Sequence, residues 1–268
     1  MTKVIAALDN SMAASPVLAT AVALGEALDA AVEAVHVAYD GARTVHAVAA
    51  AARVPLRSAS GPVVDRLVTL GEADEVEALV LGARSSPLGR RPLGATALAV
   101  ATSLAKPIVI VPPDTRTPGH LRRVLVPLEG GTGASHAPRS IIELARTAEL
   151  DVVALHVLDE DAIPLFTDQP QHEQTARDEE FLRRYCPWGI GRVRVEMRVG
   201  RSEDIIPRRA EELEADIVVL GWSQELRPGR APVVRAALER CTCPVMLVPV
   251  NVLPDEEVGV TPVGALQL

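Results

Sequence analysis

Hydrophobic residues make up 48% of the 268-residue chain but aromatic residues only 2%, so its apolar content is Ala, Val and Leu. That is enough for a sizeable core and excludes wholesale disorder. A formal net charge of −8 and the scarcity of rings exclude a general nucleic-acid binder, which needs a basic face or exposed stacking platforms.

Val4–Leu8 is short, apolar and uncharged, as a strand buried on both faces requires, and it runs straight into Asp9. Met1–Ile5 leads into this strand without the length or cleavage pattern of a signal peptide, so a cytoplasmic protein is expected. Ser15-Pro16 predicts a helix start, with Ser as N-cap and Pro at the first helical position, running to about Ala30. Pro16, Glu26 and Asp29 interrupt the Ala-rich Met12–Ala31 too much for a membrane span. There follow a strand at Val32–Ala38, a helix at Thr44–Arg53, a short strand at Val54–Ser58, a helix at Val63–Glu72 and a strand at Ala78–Leu81. A helix at Gly94–Leu104 and a strand at Ile108–Val111 close the first half. The second half reads strand Val124–Leu128, helix Ala137–Ala148, strands Val152–Val157 and Val193–Val199, helix Glu203–Glu214, strand Ile217–Leu220, helix Val233–Arg240 and strand Val245–Val248.

The halves repeat. Val4–Asp9 matches Val124–Glu129, and Val35-His36-Val37 matches Leu155-His156-Val157, both at an offset of 120. Ala78–Gly82 matches Ile217–Gly221 at an offset of 139, and Lys106–Pro112 matches Cys243–Pro249 at 137. The second unit therefore gains 139 − 120 = 19 residues between its second and third blocks. Strand–helix alternation with right-handed crossovers predicts an α/β fold of two tandem doubly wound parallel-sheet domains. They span 1–117 and 118–250, joined by a linker at Asp114–Leu121 and followed by a tail at 251–268 without periodicity.

In such a sheet, ligands bind beyond the carboxyl ends of the strands. Asp9-Asn10-Ser11 follows the first strand, and Gly82–Thr96 follows the fourth and leads into a helix. A glycine-bearing loop entering a helix offers N–H groups and a positive dipole end to an anion. Arg84, Arg90 and Arg91 add charge suited to phosphate, although a solvated loop is the slightly simpler reading of them. With its strand ending in Asp9, its His36 and His156 strands, Gly82 and Gly221, and the Lys106-Pro107 and Cys243-Pro244 steps, the sequence resembles a double-domain universal stress protein over about residues 3–112 and 122–249. Arg122–Glu129 and Pro170–Tyr185 resemble an actinobacterial type.

The resemblance implies an adenine nucleotide alpha hydrolase-like fold and a non-enzymatic role in stress response or regulation. It implies ATP as ligand, with Asp9, Asn10, Val37, Gly82, Arg84, Ser85, Gly94, Ala95 and Thr96 of the first unit as the binding residues. It also implies pairing of the two units as an intramolecular pseudo-dimer, with Ile108–Val111 beside Val245–Val248. The sequence departs from the family's G-x2-G-x9-G-[S/T] loop. Ser85 stands at the second glycine, and Ala95 precedes Thr96 where Ser or Thr is usual. In the second unit Gln224 takes the second-glycine position and Ala231-Pro232 the Gly-Ser position, so that site is expected to be degenerate. Nucleotide is therefore expected in the first unit only, and weakly.

Asp9 fits either a ribose contact or a helix cap. His36 and His156 read as structural histidines. Cys186, Cys241 and Cys243 indicate no disulfide framework, and Cys241-Thr242-Cys243 lacks a second ligand pair, so no metal is expected. The segment 159–191 holds Phe166, Phe181, Tyr185 and Trp188, four of the six rings. It reads as an added helix docked on the second sheet or, alternatively, as a surface for a protein partner with both nucleotide sites vestigial. No nucleophile elbow, metal-binding His pair or other catalytic arrangement is present; ATP hydrolysis has only the Arg-bearing loop in its favour.

Overall fold

The computed structural model describes residues 1–37, 43–84, 93–115, 119–128, 150–158, 193–226 and 231–249. The expected helix over 137–148, the ring-rich segment 159–191, the tail 251–268, and Ser85, Arg90, Arg91 and Glu129 lie outside the described residues.

The first unit runs β1 (Lys3–Ala7), α1 (Ala14–Leu28), β2 (Ala31–Val37), α2 (Arg43–Ala51), β3 (Leu56–Ala59), α3 (Val63–Gly71), β4 (Val76–Gly82), α4 (Ala95–Ser103) and β5 (Ile108–Val111). The second contributes β6 (Arg123–Leu128), β7 (Asp151–Leu158), β8 (Val193–Val199), α5 (Ser202–Glu212), β9 (Ile217–Trp222), α6 (Pro232–Arg240) and β10 (Val245–Pro249). The two expected sheets are halves of one. Its ten strands lie in the order β3-β2-β1-β4-β5-β10-β9-β6-β7-β8. Within each half all neighbours are parallel; β5 and β10 meet antiparallel, with Met246 opposite Val109. Read outward from this seam, each half has the same order, which is the internal twofold implied by the repeat. Pairing the two last strands removes two exposed edges at once.

Alternate residues of every central strand face opposite cores. Ile5, Leu79, Ile108, Leu125, Val218 and Leu247 face α3–α6, whereas Val4, Val80, Val109, Val124, Val219 and Met246 face the α1 and α2 side. Both cores run unbroken across the seam. Among the described residues, three polar contacts tie the units further. Thr115 Oγ1 donates to the Thr242 carbonyl at 2.9 Å, His120 Nδ1 to Glu26 Oε2 at 2.8 Å, and Gln224 Nε2 to the Leu104 carbonyl at 2.7 Å.

Two helices depart from their sequence signals. Helix α1 begins at Ala14, before the expected cap Ser15. The start is set upstream, where Asp9 accepts the Ser11 N–H and hydroxyl and Ser11 Oγ accepts the Ala13 N–H at 3.2 Å. Pro16 still lies in the first turn, where a missing N–H costs nothing. Helix α5 carries Pro207 in its interior. Proline cannot donate to the carbonyl four residues back, and Arg240 Nη1 from α6 takes up that Glu203 carbonyl at 3.0 Å while pairing with Asp204 at 2.7 Å. Helix α6 starts on Pro232, one residue before the expected Val233, with the proline in the first turn where its missing N–H costs nothing.

Candidate functional site

The carboxyl ends of β1, β2 and β4 converge with the start of α4 on a cleft of about 320 Å³. Its walls are apolar: Val17 from α1, Val35 and Val37 from β2, Leu67 from α3 and Leu81 from β4. Polar groups collect at Asp9, Arg84 and the Gly94-Ala95-Thr96 helix entry. Thus Asp9, Val37, Gly82, Arg84, Gly94, Ala95 and Thr96, named from sequence, line one cavity. Asn10 does not; it stands exposed at the tip of the turn that Asp9 closes with Ser11. Ser85 lies outside the described residues.

Each wall has a local cause. The parity of β2 sends Val35 and Val37 to the cleft and His36 to the other face. His36, 5% exposed, donates from Nδ1 to the Leu8 carbonyl at 2.8 Å and so pins the end of β1 one residue before Asp9. The structural reading of this histidine holds. The first bond of α4 runs from the Leu98 N–H to the Gly94 carbonyl at 2.9 Å. The helix therefore offers no carbonyl of its own to the N–H groups of Ala95, Thr96 and Ala97, and its positive dipole end faces the cleft. Among the described residues, a Cβ on Gly94 would meet only the Ala83 carbonyl at 3.5 Å and Arg84 Cα at 3.9 Å. Gly94 also has an ordinary extended backbone, φ −67 and ψ 160. The packing of the described residues thus does not demand glycine there; what glycine gives is open backbone facing the cleft. An apolar slot, a carboxylate, a guanidinium and a helix N-terminus together suit a ligand that is flat and apolar at one end and anionic at the other.

The second unit is built differently at the corresponding place. Trp222 occupies the position of Ala83, which lines the first cleft. Trp222 is 3% exposed, and among the described residues its indole N–H has no hydrogen-bond partner. Gln224 and Ala231, at the two glycine positions, hold left-handed backbone with φ of 60° and 47°. Gln224 spends its side chain on the Leu104 carbonyl of the other unit. Reasoning from sequence missed the cleft walls Val17, Leu67 and Leu81; the spacing of apolar residues along α1 and α3 was the available signal for the first two. Among the described residues, no group of three or more His, Cys, Asp and Glu could hold a metal, and no helix is long and apolar enough to cross a membrane.

Residues 120–249 match the model of the universal stress protein family. No curated protein matches the chain in sequence. Among solved structures, a functionally unknown protein from Pseudomonas aeruginosa superposes with a TM-score of 0.66 at 13% identity, covering 93% of each chain. A universal stress protein from Archaeoglobus fulgidus superposes at 0.60 and 14% identity, over 93% of this chain and 96% of its own. At these identities the likeness is one of fold, and it extends across both units.

Proposed function

We propose that the protein is a tandem universal stress protein that binds one adenine nucleotide, in the first-unit cleft, and acts as a non-enzymatic regulator. The single observation that carries this is the convergence of Asp9, Gly82, Arg84 and the Gly94–Thr96 helix entry on one apolar-walled cleft. The slot between Val35, Val37 and Leu81 suits a base, Asp9 suits ribose hydroxyls, and Arg84 with the α4 N-terminus suits phosphate. The restriction to the first unit is supported by Trp222, which puts an indole where the first cleft has Ala83. The absence of a nucleophile or general-base arrangement in the sequence supports a binding role over hydrolysis.

The test is native mass spectrometry of the freshly purified full chain, followed by titration with a fluorescent ATP analogue. One nucleotide per chain is expected, with phosphate release no faster than the no-protein blank. Gly94→Ala should fold normally, because its Cβ has room, yet weaken nucleotide binding by about tenfold or more, since a methyl there crowds a phosphate out of reach of the helix N–H groups. Two nucleotides per chain, or unchanged affinity in Gly94→Ala, would contradict the assignment.

A further inference from the structure

Of the four methionines, Met246 is buried in the core and Met197 is half-buried on β8. Met1 is fully exposed, and Met12, although internal, is 94% exposed. Methionine ordinarily fills gaps between apolar neighbours, so a thioether held this far into solvent has a local cause. That cause is the turn leaving β1. Asp9 accepts the Ser11 N–H at 3.0 Å and the Ser11 hydroxyl, and Ser11 Oγ accepts the Ala13 N–H at 3.2 Å. The Ala14 N–H adds a bond to the Ser11 carbonyl at 3.3 Å. The turn is thereby tied on both sides of Met12.

The same turn is the rim of the first-unit cleft. Asp9 before Met12, and Ala13 and Ala14 after it, all line the cleft, whereas Met12 itself does not. Val63, at the start of α3, lines the cleft and is 39% exposed. Helices α1 and α3 cover opposite faces of the sheet, so Met12 and Val63 flank the mouth from its two sides. Two of the large apolar side chains left exposed thus stand at one opening. An unbranched thioether turns onto a neighbouring surface by side-chain rotation alone, and it packs well against an aromatic ring. The base of a bound nucleotide supplies such a ring at the mouth.

We propose that Met12 folds over the base of the bound nucleotide, and that its oxidation by hydrogen peroxide to the sulfoxide weakens nucleotide binding. The inference rests on the nucleotide reading of the first-unit cleft. In the step, the thioether sulfur attacks one oxygen of the peroxide. The O–O bond breaks as an S–O bond forms. The sulfur is oxidised by two electrons, the peroxide is reduced to water, and no proton is gained or lost overall. The sulfoxide is polar where the thioether was apolar, so its contact with the base no longer favours binding. Exposure of Met12 gives the oxidant direct access, which burial denies it at Met246.

The test is calorimetric titration of the full chain with ATP before and after hydrogen peroxide, with mass mapping of the oxidised peptides. Met12 should gain its oxygen well before Met246, and the affinity for ATP should fall about three- to tenfold. Met12→Leu cannot form a sulfoxide, so its affinity should be the same before and after peroxide. Met12→Gln, polar like the sulfoxide, should bind ATP as weakly as the oxidised parent. Inorganic triphosphate has no base to cover, and Met12→Gln should bind it as the parent does. The proposal is overturned if the oxidised parent keeps its affinity, if Met12→Leu is as sensitive to peroxide as the parent, or if Met12→Gln binds ATP like the parent. A parent chain that binds no nucleotide overturns the reading of the cleft and this inference with it. If Gly94→Ala weakens binding and Met12→Gln does not, the cleft stands and Met12 has no part in it.

Discussion

Ala231 and Gln224 carry left-handed backbone conformations that a Cβ disfavours by about 1–2 kcal/mol each. Both stand at the glycine positions of the loop pattern, and each holds a conformation that glycine adopts without strain. The two positions should respond differently to restoration. Ala231 is also the N-cap of α6 and makes no side-chain cap; Ala231→Gly should stabilise by up to about 1 kcal/mol, the relieved strain being partly offset by a more flexible unfolded chain. Gln224→Gly relieves the same strain but strands the Leu104 carbonyl, at a cost of about 1 kcal/mol, and should be close to neutral. Urea unfolding of the two variants side by side separates these outcomes. This contrast marks what the sequence could disclose. Asp9, Gly82 and Thr96 were legible because a residue just past a strand or at a helix entry is placed by chain order alone. The cleft walls and the burial of Trp222 were not, because they depend on which face of the sheet each element covers.

Among the elements, β8 and α5 are joined by charge. Among the described residues β8 is an edge strand, and Arg194, Glu196 and Arg198 alternate along it on one face. Arg194 and Arg198 flank Glu196 at 3.2 and 3.3 Å. From α5, Arg209 grips the same carboxylate with two bonds of 2.7 Å, the paired geometry that makes guanidinium–carboxylate contacts strong. Such a ladder also discourages another strand from adding to the edge. The hydrogen bonds from Arg209 hold the Glu196 carboxyl below its ordinary pKa. A depressed carboxyl contributes stability that is complete above its unfolded value of ~4.3 and is lost as pH falls through the folded value. Glu196→Gln should therefore cost about 1–2 kcal/mol at neutral pH, and the gap from the parent chain should close below about pH 4. Denaturant midpoints measured for both chains across pH 3–7 check this; a gap that widens in acid would contradict it. The period-two run Val193–Val199 announced β8 in the sequence, but its partner helix could not be read there. The role of Arg240 in rescuing the carbonyl freed by Pro207 was equally hidden, since the two residues meet only when α5 and α6 pack.

At the scale of the molecule, the seam decides whether two repeats make two domains or one cooperative body. Its hydrogen-bonded register is short, three facing residue pairs from Val245–Ile110 to Leu247–Ile108. The apolar cores on both sides are not short, and each is continuous through β5 and β10. Opening the seam would bare Ile108, Val109, Val245 and Leu247, none of which has any exposed surface. At about 25 cal/mol per Å² of apolar surface, that penalty far exceeds what three backbone pairs alone would supply. The units should therefore unfold together. The chain provides its own reporter, because both tryptophans, Trp188 and Trp222, lie in the second unit. Leu18 lies in α1 of the first unit, 1% exposed, and Leu18→Ala should cost about 3–5 kcal/mol as a buried cavity. If the body is cooperative, tryptophan emission should report this loss in full, at the same denaturant midpoint as circular dichroism. If the seam merely links independent domains, the tryptophan midpoint will stay at that of the parent chain while the dichroism splits into two steps.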